Sequence, residues 1–126
     1  MSTNTSTTTK SLFTGLPSGI VPYVAILGAL ASTSVHLSLA PMILQFNSTR
    51  GILFVLAGLG FIGGIAVYLT KYWRREFYLV AIAFALAQII AWAVMSGRVN
   101  DMAIISKGGE AVFAVAAAYL YWTDAR

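Results

Sequence analysis

The stretch from Ile52 to Thr70 reads ILFVLAGLGFIGGIAVYLT and carries no charged side chain. A helix needs about 20 predominantly apolar residues to cross the roughly 30 Å of hydrocarbon in a bilayer. In lipid every backbone N–H and C=O must be bonded within the protein, and a helix does this unaided. The stretch therefore predicts a membrane-spanning helix, and its neighbours repeat the pattern. Downstream, Phe77 to Ser96 is equally apolar. Upstream, a longer run extends from Ile20 to Phe46, with Pro22 near its start and Pro41 near its end. The last run, Asp101 to Trp122, reaches spanning length only if its helix begins at Asp101, a residue type suited to an N-cap. That start brings Lys107 and Glu110 into the apolar region.

The whole chain agrees with this reading. Of 126 residues, 59% are hydrophobic and 10% charged, against about 25% charged in an ordinary soluble domain. Too few charges exist to coat a water-facing surface. The expected fold is all-α: a polytopic membrane protein, an antiparallel four-helix transmembrane bundle with spans at about 20–46, 52–70, 77–96 and 101–122. The connections at 47–51, 71–76 and 97–100 are short, which forces neighbouring spans to be antiparallel. Residues 1–19 form a Ser/Thr-rich segment expected to be a disordered cytoplasmic tail. Ala29-Leu30-Ala31 before Ser32 looks like a signal-peptide cleavage site. The apolar run continues to Phe46, longer than a usual signal core, and favours a retained span. No cysteine is present, which excludes disulfides and thiol chemistry.

The net charge of +4 would suggest nucleic acid in a soluble protein. Here the basic residues flank apolar runs, and no nucleic-acid partner is expected. Lys10, Lys71, Arg74, Arg75 and Arg126 fall on one side of the bundle, Arg50, Arg98 and Lys107 on the other. The positive-inside rule then places both termini in the cytoplasm of a multi-pass protein of the cell membrane. Tyr72, Trp73, Tyr78, Tyr119, Tyr121 and Trp122 gather at the cytoplasmic ends as an aromatic belt. Two glycosylation sequons, at Asn4 and Asn47, lie on opposite sides, so one topology cannot use both.

Membrane helices associate through small residues that let backbones approach. Each span carries such a face, with Gly28, Gly60, Gly64 and Ala114 as the packing positions. The polar residues on these faces are the only ones suited to chemistry. His36 in the first span and Lys107 and Glu110 in the fourth lie at similar depth, and a His36–Glu110 contact is geometrically reasonable. Gln88 near mid-membrane could hydrogen-bond across. Ionisable groups in a membrane segment point to function by default. The blander alternative is a buried salt bridge that fixes helix register, with Lys107 snorkelling to the interface. The sequence favours that alternative. Ser32, Ser34 and Ser38 are expected to bond back to their own helix. Gly108-Gly109 allows either a broken span or close packing against the His36 helix, and packing is favoured. One histidine cannot supply a bis-imidazole haem site, and zinc lacks ligands. No metal, cofactor or catalytic set is expected.

The segments Val35-His36-Leu37, Gly58 to Gly64, Tyr72-Trp73-Arg74-Arg75 and Ile105-Ser106-Lys107 resemble small four-span membrane proteins of haloarchaea. That resemblance implies an archaeal source and a four-span fold, and brings no activity. Small multidrug-resistance transporters share the span count, but their first span holds a carboxylate where this one holds His36.

The functional expectation is a non-enzymatic membrane protein, an accessory or structural subunit of a larger membrane complex, with the lipid bilayer as its constant partner. The alternative is a homo-oligomeric transporter or channel, or a lipid or small-ligand binder, built on His36, Gln88, Lys107 and Glu110 in the outer half.

Overall fold

The computed structural model describes residues 12–124; the expectations for Lys10, Arg126, the Asn4 sequon and the first part of the tail lie outside the described residues. Four helices make up the fold: α1 (Val21–Phe46), α2 (Ser48–Tyr68), α3 (Glu76–Met95) and α4 (Asp101–Thr123). All four are long and apolar enough to cross a membrane. The end that carries residues 12–20 and Thr123 is called proximal below, and the opposite end distal.

Helix α1 is flanked by α2 and α4, and α4 in turn by α1 and α3. The spatial order is thus α2–α1–α4–α3. The α1–α4 contact is the tightest because it is made by glycines. A Cβ added at Gly109 would lie 2.6 Å from the Gly28 carbonyl oxygen, and one added at Gly28 would lie 2.6 Å from that of Gly109. Against α2, α1 instead sets leucines over glycines: Leu37 covers Gly58 and Leu44 covers Gly51. Helix α3 is held least, with only Tyr78 and Ala85 buried.

At mid-height each helix gives one residue to a common core. Phe61 of α2 meets Ala29, Ala85 and Ala114 of the other three. Its ring stands edge-on to Phe84, at 5.0 Å between centroids, and to Phe113, at 5.1 Å. Small residues on three helices thus make room for one ring, an arrangement that favours T-shaped contacts. The proximal end is closed by a second cluster of Tyr68, Tyr78, Ala117 and Leu120, with Trp73 packed on it. Arg75 lies over the Tyr121 ring at 4.1 Å, and its Nε donates to the Tyr121 carbonyl.

Several boundaries differ from the sequence reading, each for a local reason. The second helix starts at Ser48 rather than Ile52, because Asn47 caps it: its side chain accepts from the Arg50 backbone N–H at 3.0 Å. The α1–α2 link is therefore Asn47 alone. The cap of α4 is Asn100, bonded to Ala103 N–H at 2.9 Å, and Asp101 is already helical. Helix α4 runs unbroken through Gly108 and Gly109, so the broken-span alternative does not hold. The segment expected to be a free tail up to residue 19 is tied down in part. Phe13 pairs with Thr70 as an isolated β-bridge, and Lys71 N–H donates to the Leu12 carbonyl at 2.9 Å. The glycine face of α2 divides: Gly60 meets the Phe84 ring, while Gly63 and Gly64 meet nothing within 4 Å. Gly64 is thus not a packing position; it lines a cavity instead.

Candidate functional site

Two cavities lie along the seam between α2 and α3, one on each side of the Phe61 layer. Their position follows from the helix order, since α2 and α3 meet through side chains more than through close backbones. The proximal cavity, about 390 Å³, is walled almost wholly by apolar groups, including Gly63, Gly64, Ile65 and Ala81. The distal cavity is larger, about 730 Å³, and its wall includes His36, Gln88 and Lys107. Three of the four polar residues singled out from the sequence thus share one cavity. Glu110, the fourth, lies behind the wall, with no exposed surface.

Glu110 is held from both helices. Ser32 of α1 donates to Oε2 at 2.5 Å, Ser106 of α4 donates to the same oxygen at 3.1 Å, and Lys107 Nζ bonds Oε1 at 2.9 Å and Oε2 at 3.2 Å. A buried charge is tolerable only when paired and hydrogen-bonded, and here both oxygens are engaged. His36, 5% exposed, approaches Glu110 Oε2 no closer than 3.9 Å. Ser32 stands between them, with its hydroxyl 3.1 Å from His36 Nδ1. That nitrogen is also 2.8 Å from the Ser32 carbonyl, which can only accept. Nδ1 therefore carries the proton. The ring packs on Phe54 at 4.9 Å between centroids.

The direct His36–Glu110 contact expected from depth is thus a serine-bridged one. Gln88 does not bond across the bundle: its Nε2 reaches back to the Phe84 carbonyl at 3.4 Å, and its Oε1 is buried without a partner. Ser34 and Ser38 bond back to their own helix, to Leu30 and Val35. Ser32 does not, and together with Ser106 it is a site residue that the sequence reading missed. The available signals were the spacing of four from Ser32 to His36 and from Ser106 to Glu110, which puts each pair on one helix face. Arg50 was also missed as a cavity residue. Once α2 begins at Ser48, Arg50 sits in its first turn and on the distal wall, with its Nε buried and unpartnered.

Chemically, the Ser32–His36–Ser106–Lys107–Glu110 cluster pins α1 to α4, because it spends its carboxylate oxygens on internal bonds. The distal cavity lies beside it, and His36, Ser106 and Lys107 of the cluster line its wall. Residues 7–121 match the model of a family described as "Family of unknown function (DUF7475)", and the chain belongs to that family. No curated protein and no solved structure matches the chain.

Proposed function

We propose that this member of the family is a non-catalytic protein of the cell membrane that binds a small ligand in its distal cavity, with both termini in the cytoplasm. The observation that carries the reading is the distal cavity of about 730 Å³, which has polar side chains on an otherwise apolar wall. Cavities of this size and lining suit small amphipathic molecules. A catalytic role for Glu110 is disfavoured by its burial, which leaves it no exposed surface for a substrate to reach. The positive-inside rule supports this orientation, with Lys71, Arg74 and Arg75 on the cytoplasmic side and the cavity mouth outside.

The absence of cysteine makes the test direct. Ala91→Cys, on the cavity wall, should react with a membrane-impermeant thiol reagent added outside intact cells. Val115→Cys, exposed on the apolar face of α4, should not react. Tyr72→Cys should react only in inverted vesicles. An Ala91→Cys unreactive in both intact cells and inverted vesicles would remove the open cavity, and labelling of Tyr72→Cys from outside would reverse the orientation.

A second reading, an accessory subunit of a larger complex or a homo-oligomer, draws on α3. Its Val80, Ile90 and Val94 are exposed, and such a face suits lipid or another helix equally. Stoichiometric foreign subunits after mild-detergent purification would favour that reading. A homogeneous monomer free of foreign subunits would remove it.

A further inference from the structure

The two ring nitrogens of His36 have different surroundings. Nδ1 is committed to the protein: its proton goes to the Ser32 carbonyl at 2.8 Å, with the Ser32 hydroxyl 3.1 Å away. In the neutral ring, Nε2 is then an acceptor with a free lone pair. Among the described residues nothing bonds it. Nor is it sealed off, as the unpartnered Arg50 Nε and Gln88 Oε1 are. The His36 side chain keeps 7% of its surface exposed, and the residue lines the distal cavity. A side chain more than nine-tenths buried thus turns one unpartnered acceptor to that space.

The groups around His36 narrow the kind of donor that can meet it. Helix α2 brings the uncharged Phe54 ring against it. Helix α4 brings Glu110 and Lys107: His36 Nδ1 is 3.9 Å and Lys107 Nζ 3.2 Å from the same oxygen, Glu110 Oε2. Arg50 and Arg98 also line the cavity, with Asp101 as the one carboxylate on its wall among the described residues. This excess of cations opposes an ammonium donor. An ionised phosphate or carboxylate offers only acceptors and cannot bond a lone pair. A neutral hydroxyl meets both conditions, and its oxygen can accept in turn from a wall rich in donors. The rest of the wall is mainly apolar, with Val35, Leu39, Leu53 and Ala57. We infer that the distal cavity binds an apolar molecule bearing a neutral hydroxyl, an alcohol or phenol, which donates to His36 Nε2. The inference rests on the cavity being a ligand site and adds the class of ligand and the residue that reads it.

His36 is the one histidine of the chain, so nitrogen NMR of isotope-labelled histidine reports it alone. The test uses the full chain, with an affinity tag free of histidine, in phosphatidylcholine nanodiscs, a lipid without a hydroxyl donor. In mildly alkaline buffer the free protein should show Nδ1 protonated and Nε2 bare. Para-butylphenol should move the Nε2 resonance, and its methyl ether, which lacks the donor, should not. Protection of Ala91→Cys from thiol reagent gives the affinities, compared at equal probe concentration in the membrane. The phenol should bind roughly tenfold more tightly than the ether, as expected for one hydrogen bond. His36→Phe, which keeps a flat ring and loses the acceptor, should bring the phenol down to the ether. The wild-type comparison stands on its own if that variant fails to fold. A proton already on Nε2 in the free protein, or a phenol preference retained in folded His36→Phe, overturns the proposal. Equal protection by both probes, with Nε2 unmoved, sinks the hydroxyl assignment and keeps the cavity reading. No protection by either probe sinks both.

Discussion

Gly108 and Gly109 are adjacent in one helix, yet alanine at the two positions should move stability in opposite directions. At Gly108 an added Cβ meets nothing within 4 Å. The substitution then only removes the cost of glycine in a helix, a gain of up to about 1 kcal/mol. At Gly109 the added Cβ would lie 2.6 Å from the Gly28 carbonyl oxygen and 3.2 Å from the Ala31 Cβ. A carbon and a carbonyl oxygen approach comfortably at about 3.3 Å, so α1 and α4 must separate by roughly 0.7 Å there. The obstacle is backbone, which cannot swing aside as a side-chain tip would. Overpacking of this kind costs about 1–3 kcal/mol.

The same separation stretches the Ser32–Glu110 hydrogen bond, one turn from Gly28 on α1 and next to Gly109 on α4. Weakening a bond to a charged acceptor adds about 1 kcal/mol. Against a propensity gain of about 1 kcal/mol, Gly109→Ala should be net destabilising by about 1–3 kcal/mol. The gap between the two variants is then about 2–4 kcal/mol. Reversible unfolding in mixed detergent micelles, followed by far-UV circular dichroism, measures it. If both variants shift the same way, or Gly109→Ala matches the wild type, the Gly28–Gly109 crossing is not what brings α1 and α4 together.

The remaining predictions use the same unfolding assay unless stated. Glu110→Gln should destabilise by about 2–4 kcal/mol, because it leaves Lys107 as a largely buried cation without its anion; adding Lys107→Met should recover most of the loss, and strict additivity would contradict the pairing. Asn47→Ala should cost about 1 kcal/mol by removing the cap of α2, and hydrogen exchange should quicken at the Arg50 amide before any amide in mid-α2. Gly60→Ala should destabilise, since its Cβ would meet the Phe84 ring at 2.5 Å, whereas Gly64→Ala, with open space around it, should be neutral or stabilising; the reverse order would mean that α2 and α3 close more tightly than described.

The fold was legible from the sequence because its main signal is local. A long apolar run in lipid has to be a helix, so Ile52–Thr70 could be read without its partners. The helix ends were less legible. Asn47 and Asn100 were assigned to connections, although asparagine is a strong cap and each sits directly before a helix. Which small residues pack was legible only in part: Gly28, Gly60 and Ala114 meet other helices, whereas Gly64 does not. Gly28, Gly64 and Gly109 look alike in sequence, and only the helix order decides that two of them touch while the third faces a cavity. The candidate site was half legible. His36, Lys107 and Glu110 stand out as ionisable groups in apolar runs. Ser32 and Ser106 do not, because a serine in such a helix more often bonds its own backbone, as Ser34 and Ser38 do here.

The closest backbone approach and the buried carboxylate occur together, and the two depend on each other. A carboxyl group shut into this interface needs hydrogen-bond donors, and Glu110 receives them from both helices. Ser32 has one of the shortest polar side chains, and it reaches Glu110 because Gly28 and Gly109 let the backbones meet one turn away. In return the network fixes the register of the crossing, since a shift of one residue would turn Ser32 off the shared face. The α1–α4 pair is therefore the rigid half of the molecule. Helices α2 and α3 attach on its opposite flanks, and each packs closely against only one other helix. Helix α3 is anchored at its proximal end, where Tyr78 donates to Asp124 and Arg75 bonds Tyr121. At its distal end, Val94 and Met95 are exposed. Arg50 and Gln88 both line the cavity beside that loosely held end, so the least constrained seam of the fold runs along its larger cavity.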